Sequence, residues 1–296
     1  MRDTREHQES RRAFLGGLLG TCTTSLLGCR LPAATSRPAG EELDFPLIDF
    51  HVHLDNSSIE QVLPLSRERG VKFGIVEHAG TRENKYPVVL SNDDELLAYI
   101  HKFEGKGVYK GVQAEWSDWA NCFSRQALAK LDYTLTDAMT FTGKDGKRVK
   151  LWEPSVEQRV EMTDRQGFMD RFVDWHVQII TTQPIDMLVN VSWLPAPLAD
   201  EYDRFWTESR IRKVVDAAVK YRVALEISSS FKLPKLKFLK IAREAGLKFA
   251  FGSNGRYPNM GLLEHSIAMA RELDLKRSDM FTPAPDRQKA VQRRKW

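Results

Sequence analysis

The stretch Leu47-Ile48-Asp49-Phe50-His51-Val52-His53 places two histidines directly after a short β-rich run, which covers residues 47–50. Runs of this kind, ending at polar side chains, recur along the chain and alternate with longer helical patterns. Such alternation is typical of parallel βα units. The predicted strands cover residues 47–50, 72–76, 109–114, 131–136, 186–189, 223–227 and 247–251.

Helical patterns fill the intervals between these strands. One follows a capping sequence, Ser91-Asn92-Asp93-Asp94, and runs to about residue 103. The others cover residues 166–181, 208–221, 235–245 and 261–273, and the first of these has apolar residues spaced by three or four. Seven βα units within about 240 residues predict one TIM-like (β/α)7 barrel of the α/β class, as a single domain.

Composition and charge exclude several classes of protein. The chain has 296 residues, of which 42% are hydrophobic and 28% charged, unlike a disulfide-stapled mini-protein, a collagen-like chain or a disordered chain. Its formal charge of +4 reflects 44 Lys and Arg against 40 Asp and Glu. This excess lies in a predicted basic C-terminal tail, residues 283–296, so we expect no nucleic-acid partner. The tail is either solvated or rests on anionic lipid headgroups.

The first 28 residues have the pattern of an export signal. Ser10-Arg11-Arg12-Ala13-Phe14-Leu15 opens an uncharged stretch that extends to Gly28. A paired arginine before such a stretch is typical of twin-arginine secretion signals. The stretch is too short to be assigned safely as a membrane span. An amphipathic cytosolic start is the alternative.

Leu26-Leu27-Gly28-Cys29 resembles a bacterial lipobox, in which the cysteine becomes the lipid-bearing N-terminus. The resemblance implies that Cys29 is lipidated and anchors an exported protein to the membrane, in the periplasm or at the cell surface. Ordinary signal cleavage elsewhere is the alternative. Residues 29–43 are then a flexible tether. Cys122 would be left alone in the mature chain, so no internal disulfide is expected.

Each predicted strand ends in at least one polar or ionisable residue. In parallel barrels these strand ends meet at one mouth, where active sites are built. The recurrence therefore predicts a functional site at that mouth. Its residues are His51, His53, Glu77, His78, Glu115, Asp137, Asn190, Glu226, Asn254 and Arg256.

The pair His51 and His53 is the strongest local signal for a metal site. Residues two apart on an extended strand point to the same face, so both imidazoles can reach one cation. A carboxylate from another strand, Glu115 or Glu77, would complete the shell, and imidazole suits zinc, manganese or iron. We expect one or two divalent ions, or none if the site is degenerate. The alternative is a hydrogen-bonded pair of histidines that closes the barrel.

Between residues 44 and 274 the chain resembles the PHP family, the polymerase and histidinol phosphatase domain. Asp49-Phe50-His51-Val52-His53 is similar to the family's first metal motif, and Val76-Glu77-His78 and Gln113-Ala114-Glu115 are similar to two further metal-binding segments. Three more segments match with context on both sides: Asp186-Met187-Leu188-Val189-Asn190-Val191-Ser192-Trp193-Leu194-Pro195, Ala224-Leu225-Glu226-Ile227-Ser228-Ser229 and Phe251-Gly252-Ser253-Asn254-Gly255-Arg256. The resemblance implies a distorted (β/α)7 barrel, over residues 44–282, and in active members a phosphoesterase site with two or three metals.

The family's ligand set is depleted in this chain. Asn56-Ser57-Ser58-Ile59 and Asp137-Ala138-Met139-Thr140 lack a histidine that the family has. Asn190, Asn254 and Arg256 stand where the family has His, Asp and His. The ligands that remain, too few for a trinuclear cluster, are His51, His53, His78 and Glu115.

Arg256 is the most informative departure, because a guanidinium stays protonated and cannot ligate a cation. It could pair with Glu115 and supply the positive charge that a metal supplies elsewhere. It could instead hold an anionic substrate beside a metal bound by His51, His53 and Glu115. A side chain turned outward to solvent is the third alternative.

Aromatic residues follow several of the predicted strand ends. Trp116, Trp119 and Trp193 are in this position, and their rings could stack on a sugar or a base. We expect the ligand to be small and polar or anionic. The residues predicted to contact it are Arg256, Asn254, Asn190, Glu226, Trp193 and Trp116.

These features favour an exported, metal-dependent hydrolase that resembles a phosphoesterase. In it His78, Glu77 or Asp137 would assist proton transfer. A non-catalytic lipoprotein that binds a small ligand in a PHP-like barrel is the alternative, and the missing ligands favour it. An amidohydrolase-type metal hydrolase is a third possibility, because such enzymes also begin with His-x-His on a first strand.

Overall fold

The computed structural model describes residues 43–55 and 57–296, and these residues contain the predicted parallel barrel. Its strands are β1 (Ile48–Val52), β2 (Lys72–Ala79), β3 (Tyr109–Ala114), β4 (Tyr133–Thr136), β5 (Thr140–Thr142), β6 (Arg148–Lys150), β7 (Met187–Leu188), β8 (Ala224–Ser228) and β9 (Phe249–Gly252). Within the described chain the barrel closes in the order β1-β2-β3-β4-β7-β8-β9, and neighbouring strands are parallel. Strands β5 and β6 form a separate antiparallel hairpin. The prediction of a TIM-like α/β barrel is confirmed.

Helices follow the strands and surround the barrel. They are α1 (Ile59–Arg69), α2 (Asp93–His101), α3 (Arg125–Leu128), α4 (Val156–Arg159), α5 (Arg165–Thr182), α6 (Ala196–Ala199), α7 (Tyr202–Phe205), α8 (Glu208–Tyr221), α9 (Leu236–Glu244), α10 (Glu264–Glu272) and α11 (Ala290–Arg293). Side chains cap several of their N-termini, which satisfies backbone N–H groups that have no partner within the helix. Asn92 accepts from the backbone N–H of Glu95, as the capping sequence predicts, and Asp164 does the same for Gly167.

Two apolar layers hold the barrel together. The barrel interior contains Phe50, Val76, Tyr133, Leu135, Met187, Val189, Ala224 and Ala250, and a larger cluster fills the space between strands and helices. Tyr133 occupies the interior because Gly74 and Gly111 leave room for it: a Cβ on either glycine would lie 2.4 or 2.5 Å from an atom of this side chain. The Tyr133 hydroxyl donates to the Phe50 carbonyl at 2.7 Å. Apolar side chains therefore fill the lower barrel, and the polar site is confined to the mouth.

Strand β1 is irregular just before the mouth. Its register on β2 shifts between Asp49 and Val52, and the buried Asp49 carboxylate accepts hydrogen bonds from the backbone N–H groups of His51, Ser253 and Gly261. A carboxylate that bonds to its own strand two residues ahead competes with the ladder hydrogen bonds. His51 and His53 nevertheless lie side by side, with ring centroids 5.2 Å apart, as their two-residue spacing predicts.

The C-terminal segment differs from the predicted solvated tail. Ala290 and Val291 are buried in α11, and the Ala290 backbone N–H donates to the Asp186 carboxylate at 3.0 Å. The Lys289 ammonium donates to two backbone carbonyls, and a buried Arg294 guanidinium donates to the Ile180 carbonyl at 2.6 Å. The basic side chains thus satisfy carbonyls at the strand-amino end of the barrel. A count of charges cannot distinguish that role from solvation.

Several expectations fall on residues that the structure does not describe. The signal over residues 1–28, Cys29, all but the last residue of the tether 29–43, and Asn56 lie outside the described ranges. Among the residues that are described, no helix is both long and apolar enough to span a bilayer.

Candidate functional site

Polar side chains form a layer across the barrel mouth, above the apolar interior. His51 lies at the centre of this layer, fully buried. Its Nδ1 is 2.8 Å from Glu226 Oε1, and its Nε2 is 3.1 Å from Gln113 Oε1. These two contacts take up both ring nitrogens of His51.

The charge on His51 depends on its carboxylate partner. Burial by itself lowers the pKa of a histidine, because it penalises the charged form. Here the negative charge and hydrogen bond of Glu226 outweigh burial and raise the pKa of His51 above its usual value. Glu226 also accepts the backbone N–H of Asn190 through its second oxygen, at 2.8 Å. Glu226 is thus bonded inside the protein and does not line the mouth cavity.

His53 has the opposite environment. It is also buried, yet neither ring nitrogen has a hydrogen-bond partner among the described residues. Burial, followed by the nearby His51 and His78, lowers the pKa of His53 well below its usual value. The imidazole is therefore neutral, the form in which histidine binds a metal. A buried polar side chain without a partner is costly, and a bound ligand would remove that cost.

His53, Asp55 and His78 form a group that could hold a metal ion. Each offers one donor atom, and the three atoms lie within 4.8 Å of one another. The imidazoles of His53 and His78 are roughly parallel, with ring centroids 4.9 Å apart. Two imidazoles and one carboxylate are an ordinary donor set for zinc, manganese or iron. The residues present therefore fit a metal, although the set differs from the predicted His51, His53 and Glu115.

Glu115 lies behind His78. Its Oε1 is 2.8 Å from His78 Nδ1, and its Oε2 accepts from the Lys150 ammonium at 3.0 Å. Burial favours a raised pKa, but the His78 hydrogen bond and the Lys150 charge outweigh it and lower the pKa of Glu115. A carboxylate on the far nitrogen of a ligating histidine fixes the orientation and tautomer of its ring. Glu115 is therefore placed to orient His78.

Arg256 pairs with a different carboxylate from the predicted one. Its Nε donates to Asp55 at 2.7 Å, and its Nη1 donates to the Asn254 carbonyl and side-chain oxygens, both at 2.9 Å. Lys150, at the end of β6, is the cation that pairs with Glu115, a role that the sequence suggested for Arg256. The side chain of Arg256 is 40% exposed and lines the mouth cavity, so it partly turns toward solvent as well.

Asp137 and Asn190 both line the cavity at the mouth and are hydrogen-bonded to each other. Asp137 Oδ2 accepts from the side-chain amides of Gln113, at 3.3 Å, and Asn190, at 3.4 Å. Burial and the charge of Glu115 raise the pKa of Asp137. Asn190 Oδ1 is buried without a partner among the described residues, and Asn190 lines the cavity. An acceptor of this kind suits a hydroxyl or N–H group of a ligand.

Glu77 is not part of this cavity. Its carboxylate accepts the backbone N–H of His78 at 3.1 Å and faces a separate groove, which Lys102 also lines. Because side chains alternate along a strand, Glu77 and His78 leave β2 on opposite faces. Burial raises the pKa of Glu77.

The mouth opens into a cavity of about 430 Å³, a size that suits a small molecule. Aromatic side chains form much of its wall: Tyr86, Trp152, Trp193 and Phe231. Trp193 is one of the predicted contacts. Trp116 does not line the cavity and instead packs against Trp175, and Trp119 is fully buried.

Seven residues of the site were absent from the predicted set: Asp55, Tyr86, Gln113, Met139, Lys150, Trp152 and Phe231. Asp55 continues the two-residue spacing of His51 and His53, and this spacing could have revealed it. Tyr86 stacks on His78, with ring centroids 3.6 Å apart, and accepts from Lys150 at 2.6 Å. Lys150 and Trp152 come from the β5–β6 hairpin, whose short strands carry no clear signal in the sequence.

Comparisons with known proteins add little to this picture. No family model matches the sequence, and no curated protein matches it. Among solved structures, a HpcH/HpaI aldolase from Desulfitobacterium hafniense DCB-2 is similar with a TM-score of 0.35 and 10% identity, over 81% of this chain and 95% of that one. A phospho-2-dehydro-3-deoxyheptonate aldolase from Thermotoga maritima is similar with a TM-score of 0.31 and 10% identity, over 78% of this chain and 68% of that one.

Proposed function

We propose that the chain is a metal-dependent hydrolase of the PHP type, which acts at the barrel mouth on a small anionic substrate. The observation that carries the proposal is His53, a buried neutral imidazole with two unpartnered nitrogens beside two further donors. Among the described residues no hydrogen bond of normal geometry satisfies these nitrogens, although the Gln113 side chain interacts with the ring and opposes the lowering of its pKa. A bound cation would compensate for their burial.

The metal would be held by His53, Asp55 and His78. When bound, a divalent ion supplies a Lewis acid and lowers the pKa of water, the chemistry that hydrolysis of a phosphoester requires. Glu115 orients the His78 imidazole from behind. Lys150 balances the charge of Glu115, so the carboxylate stays ionised in a buried position.

Asp137 is the residue best suited to hold and move a proton. It lines the cavity, and its raised pKa brings its protonation closer to neutral pH. The Gln113 and Asn190 amides fix its Oδ2. We assign no proton-transfer role to Glu77, because its carboxylate faces the outer groove.

The cavity wall indicates the kind of substrate. Arg256 provides a guanidinium for an anionic group, and Asn190 Oδ1 provides an acceptor. Trp152 and Phe231 are 45% and 38% exposed and line the cavity, so their apolar surface is available to a ligand. A compact anion with a ring or other apolar face fits this combination.

A non-catalytic ligand-binding protein is the second candidate. Two sets of contacts support it. Both ring nitrogens of His51 are hydrogen-bonded, to Glu226 and Gln113, and Arg256 donates a hydrogen bond to the Asp55 carboxylate. These contacts reduce the ligand set to a single metal position. A binding protein would keep the cavity and the anion contact without turnover.

Hydrolysis separates the two candidates. The full chain, purified from its own host, is assayed against p-nitrophenyl phosphate and bis(p-nitrophenyl) phosphate, with Asp137→Asn and His53→Ala as variants. The hydrolase predicts metal-dependent release of nitrophenol that both variants lose. Bound metal together with measurable binding of inorganic phosphate, but no turnover of either ester, would favour the binding protein.

We also propose that the protein is exported and anchored through Cys29. The support is the twin-arginine pattern and the lipobox resemblance. Mass spectrometry of the native N-terminus tests it: a diacylglyceryl cysteine at Cys29 is the expected result. A mature chain that begins elsewhere and partitions into buffer rather than detergent would contradict it.

A further inference from the structure

A second cavity lies at the opposite end of the barrel from the mouth. Its residues include Asp186, Arg222 and Lys248, which directly precede β7, β8 and β9, together with Arg287 and Arg293 of the C-terminal segment. Its volume is about 540 Å³, comparable with that of the mouth cavity. Four of these five residues are basic, so the cavity has a strong positive potential.

Within the described residues, the four basic side chains form no close ion pair, although Asp186 and Asp286 interact electrostatically with Arg293 and Arg287. Elsewhere on the surface, arginines commonly form ion pairs, as in Arg210 with Asp170 and Arg212 with Glu208. In the described part of the chain, none of Arg222, Lys248, Arg287 and Arg293 forms such a pair: these four are absent from every ion pair among residues 43–55 and 57–296.

Asp186, the carboxylate among the described residues that line this cavity, is already bonded. Asp186 is buried, and its oxygens accept from the backbone N–H groups of Ala290 and Thr134 and from the Thr134 hydroxyl. Burial lowers the pKa of Arg293, and the nearby Arg222 lowers it further, against the opposing charge of Asp186. The positive charges therefore repel one another across the cavity.

Backbone contacts hold two of the cations in place. The Arg293 guanidinium donates to the carbonyls of Tyr221 and Arg222, at 3.3 and 3.4 Å, and the Lys248 ammonium donates to the Ser278 carbonyl. Hydrogen bonds to backbone carbonyls therefore hold these two side chains at the cavity despite the repulsion between positive charges. An arrangement of this kind is preorganised for an anion.

The backbone at the other two cations is also unusual. Arg222 ends α8 in the left-handed conformation, with φ +56°, and Arg287 has φ +66°. Glycine is the residue that favours these positions, because a Cβ is strained there. Glycine at either position would relieve this strain while removing the charge, which makes these two residues suited to a substitution test.

We propose that this cavity binds a phosphate-bearing anion. Guanidinium groups match phosphate oxygens in a bidentate geometry, and the cavity admits a compact group such as a lipid headgroup or a small oligophosphate. Either source is compatible with the size and charge of the cavity. The proposal is independent of chemistry at the mouth.

Glycine substitutions test the cavity without threatening the fold. The full chain with Cys29→Ala, so that no acyl chain contributes, is compared with Arg222→Gly and Arg287→Gly variants. Lys232→Gly is the matched control, because Lys232 has φ +54° and lies outside this cavity. Pyrophosphate binding is measured by calorimetry. Binding to vesicles of phosphatidylglycerol with phosphatidylcholine, or of phosphatidylcholine alone, is measured by sedimentation.

We expect each arginine variant to lose about tenfold in affinity, with an unchanged or higher melting temperature, while Lys232→Gly binds like the parent. Loss confined to pyrophosphate identifies a soluble ligand, and loss confined to anionic vesicles identifies a headgroup. The proposal is overturned if the parent binds neither probe. It is also overturned if Arg222→Gly and Arg287→Gly bind no more weakly than Lys232→Gly.

Discussion

His51 and His53 lie two residues apart with ring centroids 5.2 Å apart, yet they have opposite chemical roles. Both nitrogens of His51 are bonded to Glu226 and Gln113, whereas both nitrogens of His53 are unpartnered. His51 therefore links β1 to β8 and β3, whereas His53 is available to a ligand. The His-x-His motif alone suggests two equivalent metal ligands, whereas in the structure the two histidines have different roles.

Glu115→Gln is expected to weaken metal binding about 10- to 100-fold, because an amide orients His78 less firmly than a carboxylate. Competition against a chromophoric chelator measures the affinity. Glu153→Gln, a change at an exposed carboxylate that pairs with Arg159, is the control. Equal affinities for the two variants would show that Glu115 does not act through His78.

Arg256→Gln is expected to separate anion binding from metal binding. Removing the guanidinium should weaken binding of inorganic phosphate at the mouth by about tenfold. Metal affinity should be kept or raised, because Asp55 loses its competing partner. Calorimetric titrations of phosphate and of metal measure the two effects. A variant that loses metal and phosphate together would contradict this assignment.

Gly252→Ala is expected to destabilise the mouth. A Cβ at this position would lie 1.8 Å from Glu226 Oε1 and 2.9 Å from His51 Cβ, so the Glu226–His51 contact must move. We expect the free energy of unfolding in urea to fall by about 3 kcal/mol. An unfolding curve identical to that of the parent would mean that Glu226 does not pass this close to β9.

His176→Leu is expected to flatten the acid dependence of stability. His176 is buried, and burial lowers its pKa from 6.5 to about 4. Between these values the unfolded chain binds a proton that the folded protein does not, so stability falls as the pH drops through this window. The full loss is about 3 kcal/mol, and the variant should avoid it. Urea unfolding at pH 7 and pH 4 measures the difference. Equal losses in parent and variant would contradict the prediction.

The barrel could be predicted because its signals are local. Each strand is a short β-rich run, and the spacing of apolar side chains marks α5 and α8. Polar residues at successive strand ends identified the mouth for the same reason, since parallel strands bring their ends together. His53, His78, Asn190 and Arg256 all lie there.

The partners of these residues could not be predicted, because they depend on loop geometry. Glu226 and Gln113 bond to His51 and leave the nitrogens of His53 without a partner among the described residues, and no periodicity encodes these contacts. Lys150 reaches Glu115 only because a hairpin folds over the mouth. Arg256 pairs with Asp55, which lies 201 residues away in the chain. Long-range pairing of charges is decided by the packed structure and not by spacing.

The metal content of the native chain tests the central claim most directly. The full chain, His53→Ala and the control His101→Ala, which changes an exposed helix residue, are purified from the native host and analysed for zinc, manganese and iron. We predict about one ion per chain in the parent and the control, and a large loss in His53→Ala. Parent protein without stoichiometric metal, or a His53→Ala variant that keeps it, would contradict a metal centre at His53.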